Sequence, residues 1–364
     1  MSSTILMIGS AKPALLRALE RRDPTSAVVW LEHPENHQGG LRGFFAQTDD
    51  AMASCPISAV VATSESTLVL AALARARYGL PGPSVEAAML ATNKWLMRNA
   101  LRGKVRMPRF WLSSDTNRPR TGPFFSKPLD ESAARGVGPV DDASNQGPSV
   151  LRLIEDEVTV TAEYHVDGVF ADGKMTWGVP SVYDRPVFQA SSGSRTSMLL
   201  DEGKQASELH EITEHVVSSI SQQSGVFHME FLDSPEGLVF GEFGLRPGGG
   251  GIAAMLEYLV GADLWGAHIA SQSGCDMAGY EPNRTAPPGS GLMMARRSRG
   301  RGVPLSRAEA EQLPGVVGTD PGNLPLTEFP VDSCSFAYAL ICEGLDEASW
   351  SHYSTLLSGG QADA

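Results

Sequence analysis

Phe227-His228-Met229-Glu230-Phe231, then Val239-Phe240-Gly241-Glu242-Phe243-Gly244-Leu245-Arg246-Pro247 and the glycine run Gly248–Gly251, form the stretch on which this chain turns. Val226–Leu232 and Leu238–Phe243 read as β-strands, and Asp233-Ser-Pro-Glu-Gly237 between them is a hairpin signal. Each arm carries one carboxylate among apolar neighbours. If the arms pair tightly, Glu230 and Glu242 point to one face and repel unless a cation sits between them. Hard oxygen ligands suit Mg²⁺, which keeps waters and shares phosphate oxygens as ligands. Arg246 follows closely and is placed either to hold an anion near such a metal or to form a salt bridge with Glu242 or Glu257. Ordinary glutamates on a solvated hairpin face are the plainer alternative. Met229, Phe231, Phe243 and the glycine run weigh against it. His228 shares the face of Glu230 by strand alternation. It reads as a base for an incoming amine or as a packed structural histidine.

Working towards the N-terminus, Lys94 starts a helix after Thr92-Asn93, and Lys127 closes the apolar strand Pro123-Phe-Phe-Ser-Lys127. A lysine at the end of a buried strand must reach water or an anion, because unpaired burial is costly. The loop after it, Asp130-Glu-Ser132-Ala-Ala-Arg135-Gly136-Val, offers backbone N–H groups and a cation and is able to cradle phosphates. It is not a P-loop, since Gly-x-x-x-x-Gly-Lys-Ser/Thr is absent. Taken singly, each lysine reads as a snorkelling side chain.

The first eighty residues alternate strand and helix. Thr4–Ile8, Ala27–Leu31 and Ile57–Val61 are buried-type strands. A helix starts at Pro13, and another carries Leu68, Val69, Ala72 and Leu73 on one face. This pattern predicts a parallel sheet covered by helices. It ends at Gly79-Leu-Pro-Gly-Pro, and Ser84 opens a new helical region. Short strands and loops are expected over 107–153, and β-alternation over Val158–Phe170 with a turn at Ala171-Asp-Gly173. A Ser/Gly-rich mobile loop is expected over 190–204, and a helix over Glu208–Gln223. The last eighty or so residues, with strand-like Ser335–Ile341, read as a smaller α+β cap. The 364 residues are 42% hydrophobic and 20% charged, which excludes wholesale disorder. The net charge of −13 argues against a nucleic-acid or membrane-surface binder. The start lacks a basic segment and reads as a first strand, not a signal peptide. The four scattered cysteines suit a reducing cytosol, so a cytoplasmic location is expected.

The order of these motifs resembles the ATP-grasp superfamily of carboxylate–amine ligases, in its biotin-carboxylase-like and L-amino-acid ligase branch. Val60-Val-Ala-Thr-Ser-Glu65 through Gly79-Leu-Pro-Gly-Pro-Ser84 to Asn93-Lys94 carries the likeness. So does Glu163-Tyr-His-Val-Asp-Gly-Val-Phe-Ala-Asp-Gly-Lys. The resemblance runs in order from about Ile5 to Trp265. It implies an α/β and α+β architecture divided into five parts. These are a Rossmann-like domain (1–83), linking helices (84–106), a mobile lid (107–155), an ATP-grasp core (156–284) and a small C-terminal α+β cap (285–364).

The same resemblance implies ATP with Mg²⁺, or Mn²⁺ in its place, and small-molecule carboxylate and amine substrates such as amino acids. It also admits a homodimer. Lys94 and Lys127 would bind the α- and β-phosphates, with Ser132 and Gly136 in the lid loop. The backbone of Glu155, Asp156, Glu157 and Val158 would read the adenine edge, and Glu163 would bind the ribose hydroxyls. Glu230 and Glu242 would hold the metal. Arg246, Lys127 and Arg135 would neutralise the transferring phosphoryl and acyl groups. The implied activity is amide or peptide bond formation through an acyl-phosphate, releasing ADP and phosphate. Carboxylation of a nitrogen with bicarbonate, and a nucleotide-binding regulator without turnover, stand as alternatives. Two departures bear on this. Gly244 stands where many relatives carry a metal-binding Asn, and Val158-Thr-Val-Thr-Ala162 lacks the glycine many place before the ribose Glu. No Met-Lys-Met biotinylation motif is present.

Overall fold

The computed structural model describes residues 4–22, 26–33, 40–117, 119, 121–132, 134–142, 151–189, 194–220, 223–328 and 335–360. It begins with β1 (Thr4–Ile8), α1 (Pro13–Arg22), β2 (Ala27–Leu31), α2 (Gly40–Ser54), β3 (Ile57–Ala62) and α3 (Leu68–Tyr78). The strands form a parallel sheet in the order β2-β1-β3. Central β1 is buried along its whole length, as a covered parallel strand should be. β2 differs from the expectation of a buried strand: it lies at the edge, and only Leu31 is fully buried. Helix α2 is the element the periodicity did not reveal. It buries Phe44 and Thr48, too thin a stripe to read as an amphipathic face.

Ser84 caps α4 (Val85–Thr92) by accepting from the Ala87 amide. Asn93 caps α5 (Lys94–Leu101) by accepting from the Leu96 amide, so Lys94 takes the first helical position. Next, β4 (Phe110–Leu112), β5 (Thr121–Pro128), β6 (Gly138–Asp142) and β7 (Arg152–Asp156) make an antiparallel sheet ordered β4-β7-β5-β6. Its own core is small: Phe124 and Ile154, with Trp111 and Val140 packed against them. Residues 143–150 of the expected lid lie outside the described residues.

The remainder supplies β8 (Ala162–Ala171), β9 (Lys174–Tyr183), β10 (Arg195–Leu199), α6 (Lys204–Ile220), β11 (Gly225–Asp233) and β12 (Val239–Gly244). It continues with α7 (Ile252–Val260), α8 (Leu264–Gln272), β13 (Gly291–Ala295), α9 (Arg307–Ala310), β14 (Val316–Pro321), β15 (Tyr338–Cys342) and α10 (Glu347–Leu357). The strands join one sheet ordered β12-β11-β8-β9-β10-β13-β15-β14. The C-terminal segment is therefore α+β in content and extends the sheet that carries the two carboxylates. Within the stretch expected as a mobile loop, 190–193 lie outside the described residues, but 195–199 form β10, an internal strand between β9 and β13. Its Arg195, Thr196 and Ser197 are all buried. Polar residues read as solvated loop from composition, whereas here they face polar partners inside the fold. Among the described residues no helix is long and apolar enough to cross a membrane.

Close approach of backbone fixes the middle of the large sheet. Gly168 on β8 pairs with Gly178 on β9 and with Phe227 on β11. A Cβ on Gly168 would collide with the Trp177 carbonyl oxygen and stand 2.9 Å from the Phe227 ring. Gly168→Ala is therefore expected to lower stability by about 1–3 kcal/mol, the usual cost of overpacking. A shift of the urea midpoint at unchanged slope checks this.

Candidate active site

The lid-type sheet and the large sheet enclose a cavity of about 730 Å³, within the range of roughly 300–1,000 Å³ typical of small-ligand sites. Lys94, Lys127, Glu163, Glu230, Glu242 and Arg246 all line it. Glu230 and Glu242 are direct partners in the β11–β12 register, so both carboxylates stand on one face. Like charges placed directly opposite are destabilising. Each is met by its own partners: Lys94 Nζ lies 2.9 Å from Glu242, and His228 Nε2 lies 3.3 Å from Glu230. The Tyr183 hydroxyl donates to Glu230 over 3.4 Å. Burial works against ionising Glu230, but the hydrogen bond and charge of His228 outweigh it and hold the carboxyl at about 2. Glu163, beside it, fares differently. Burial, then the charge of Glu230, push its carboxyl up to about 7, although it accepts from the Val187 amide at 2.7 Å.

Both lysines are paired rather than free. Burial disfavours the charge on Lys94, yet Glu242 and Glu65 more than compensate and raise its pKa. Lys94 also donates to the Glu131 carbonyl at 2.6 Å, tying α5 to the loop after β5. Lys127 Nζ lies 2.6 Å from Glu155. Glu155 is itself buried between Lys127 and Arg98, and these two cations overcome the burial penalty and hold its carboxyl at about 2. Its side chain therefore anchors two cations, whereas the expected adenine contact concerns its backbone. The amides of Asp156 and Glu157 are also engaged, by the carbonyls of Arg109 and Pro123. The Asp156 carboxylate accepts from Arg109. Val158 lines the cavity.

Arg246 Nε and a terminal nitrogen donate to one oxygen of Glu65, at 3.0 and 2.6 Å. Glu257, considered from sequence as a partner, pairs with Arg21 at 2.8 Å, and Glu242 with Lys94 at 2.9 Å. Glu65 was quoted in the sequence but not read as a site residue. The available signal was its place just past the C-terminal end of a parallel strand, where ligands gather in such sheets. Gly244 leaves room for the same arginine: a Cβ there would lie 3.6–3.7 Å from its side chain. Arg135 stands apart from the other expected cations. It is exposed, pairs with Glu131 at 3.3 Å and does not line the cavity. Ser132 does line it, whereas Gly136 turns its carbonyl to Arg152.

His228 has a carboxylate at each ring nitrogen, Asp167 at 3.0 Å and Glu230 at 3.3 Å. Burial opposes its charge, but Asp167 and Glu230 raise its pKa to about 10. Held between two carboxylates, the ring is part of a buried network. His165 and Asp167 complete this network and were missed. Glu163, His165 and Asp167 alternate along β8, a period-2 pattern of polar residues on one face.

No family model matches the chain. It is 25% identical over 261 residues to an L-arginine-specific L-amino acid ligase of Bacillus subtilis. That alignment covers 65% of this chain and 62% of the relative, so the match spans less than two thirds of the relative's length. An L-amino acid ligase from Bacillus licheniformis superposes with a TM-score of 0.76 at 16% identity, covering 98% of this chain and 97% of that one. A carboxyaminoimidazole ribonucleotide synthase from Aspergillus clavatus, complexed with ATP, gives 0.72 at 14% identity, covering 98% and 97%. A phosphoribosylglycinamide synthetase from Anaerococcus prevotii gives 0.69 at 11% identity, covering 96% and 97%.

The Arg98–Glu155–Lys127 cluster makes a stability prediction. The Glu155 carboxyl is depressed from an ordinary 4.5 to about 2, so its contribution is present above pH 4.5 and is lost as pH falls towards 2. Glu155→Gln leaves two cations uncompensated and is expected to cost about 3–5 kcal/mol at pH 7. The gap to the wild type should narrow between about pH 4.5 and pH 2, as urea unfolding across that range will read.

Proposed function

We propose that this chain, which has the ATP-grasp fold, is an ATP-dependent carboxylate–amine ligase that joins an acid to an amine and releases ADP and phosphate. The observation that carries the reading is the Glu230–Glu242 pair facing one cavity with Lys94, Lys127 and Arg246. The donor set fits the proposed ligands: two hard carboxylates for Mg²⁺ and buried lysines for phosphates. Amino acids are the proposed substrate class, supported by the amino acid ligase of Bacillus subtilis among the relatives.

In this reading Lys94 and Lys127 hold the α- and β-phosphates, and Glu163 takes the ribose hydroxyls. Val158 and the carbonyls of Glu155, Asp156 and Glu157 meet the adenine edge, and Ser132 faces the phosphates from the lid. Glu230 and Glu242 would hold Mg²⁺, which would supply charge neutralisation on phosphate oxygens. The acid carboxylate attacks the γ-phosphorus, the bond to the β-phosphate oxygen breaks, and ADP leaves. The amine then attacks the acyl carbon and phosphate departs. Arg246 stabilises charge on the acyl-phosphate, and Glu65 aims its guanidinium. No side-chain nucleophile is needed: positioning and electrostatics do the work. The span 107–155 acts as the lid, its small core leaving it free to close and keep water from the acyl-phosphate.

The test is to incubate the protein with ATP, Mg²⁺ and the proteinogenic amino acids, following phosphate release and product mass. A dipeptide mass is expected. Release only with bicarbonate and an amine would replace this reading by carboxylation, and release under neither condition would leave a nucleotide-binding protein. Glu242→Gln should fold and lose nearly all turnover. Arg246→Lys loses the planar fork, so the acid-dependent rate should fall by roughly 100-fold or more with little change in ATP affinity. Hydrogen exchange over 107–155 should slow when an ATP analogue and Mg²⁺ are added. Protection confined to 1–80 would move the nucleotide to the other sheet.

A further inference from the structure

Asp167 is completely buried in β8, and polar groups from separate parts of the fold converge on it. One carboxylate oxygen accepts from His165 Nδ1 at 2.6 Å. The other faces His228 Nδ1 at 3.0 Å and accepts from the Gly248 amide at 3.2 Å. The far nitrogen of His165 lies 2.6 Å from Ser197 Oγ on β10. The far nitrogen of His228 reaches Glu230. His165 Nδ1 and His228 Nδ1 each face an Asp167 oxygen at hydrogen-bond distance, so the three side chains form a hydrogen-bonded network. Position 248 is built for this approach. A Cβ there would stand 2.5 Å from Asp167 Oδ1 and 3.0 Å from His228 Nδ1.

We propose that Asp167 is a positioning residue that holds Glu230 and the glycine turn after Arg246 in one fixed relation. The inference rests on Glu230 and Glu242 being the metal carboxylates. The route is geometric. Asp167 sets the plane of the His228 ring through Nδ1, which aims Nε2 at Glu230. The same carboxylate oxygen takes the first N–H of the glycine run. His165, steadied by Ser197, fixes the rotation of Asp167 itself. Without this group the metal carboxylate and the anion-facing turn lose their common reference, although neither touches the other.

The test measures Mn²⁺ binding to the full chain by electron paramagnetic resonance with ADP present, alongside thermal unfolding. Asp167→Asn keeps the size of the side chain and is expected to weaken Mn²⁺ binding roughly 10- to 100-fold, the usual cost of losing a partner behind a metal ligand. Gly248→Ala, which disturbs the network from the turn and changes no carboxylate, should weaken Mn²⁺ in the same direction. If Asp167→Asn does not fold, His228→Gln severs the same link and carries the same expectation. Variants with lower melting temperatures but unchanged Mn²⁺ affinity make the network purely structural and overturn the proposal. A wild type that takes up no Mn²⁺ overturns the metal reading, and this inference with it. Wild-type binding that the variants leave unaltered overturns the inference alone.

Discussion

Two carboxylates held opposite one another on neighbouring strands are the constraint around which the rest of the site is arranged. Glu230 and Glu242 share a register position, so their repulsion cannot be relieved by turning one strand residue away. Compensation comes from three elements. α5 delivers Lys94 to Glu242, and β9 and β11 deliver Tyr183 and His228 to Glu230. Next door, burial first and then the charge of Glu230 push the Glu163 carboxyl up to about 7.

Charge also organises the junction between the small sheet and its neighbours. Glu155 on β7 binds Lys127 on β5 and Arg98 on α5, so a single buried carboxylate links two strands of the small sheet to the helix that carries Lys94. The small sheet's own apolar core is thin. These ion pairs lie at the cavity, close to where a nucleotide's phosphates are proposed to lie.

The N-terminal sheet and α1 share apolar clusters with the core, Met7 and Leu15 packing with Ile252 and Ile269, and Leu6 and Ile8 with Phe170 and Phe227, and polar groups add to this junction. Glu65 clasps Arg246 across the cavity. Behind it, buried Arg75 donates to the carbonyls of Val60 and Pro83 and to Gln272 on α8. The Ala62 amide donates to that same glutamine oxygen. Such contacts give orientation more than raw stability, because each buried polar group must keep its partner.

Local rules in the chain were enough for much of this. Period-2 and period-3.6 patterns, Ser84 and Asn93 as helix caps and the hairpin signal at Asp233–Gly237 located most elements and put the two glutamates on one hairpin. Motif order supplied the fold. Three things were decided only by the tertiary structure. β10 is a strand because Arg195 and Ser197 find buried partners on other strands, which composition counts as loop. Arg246 pairs with Glu65, distant in sequence. Asp167 gained its place because His165, His228 and Gly248 meet only when β8, β11 and the glycine turn are folded together. Periodicity is a property of neighbours along the chain, whereas the partner of a buried charge is set by which strands and helices pack side by side.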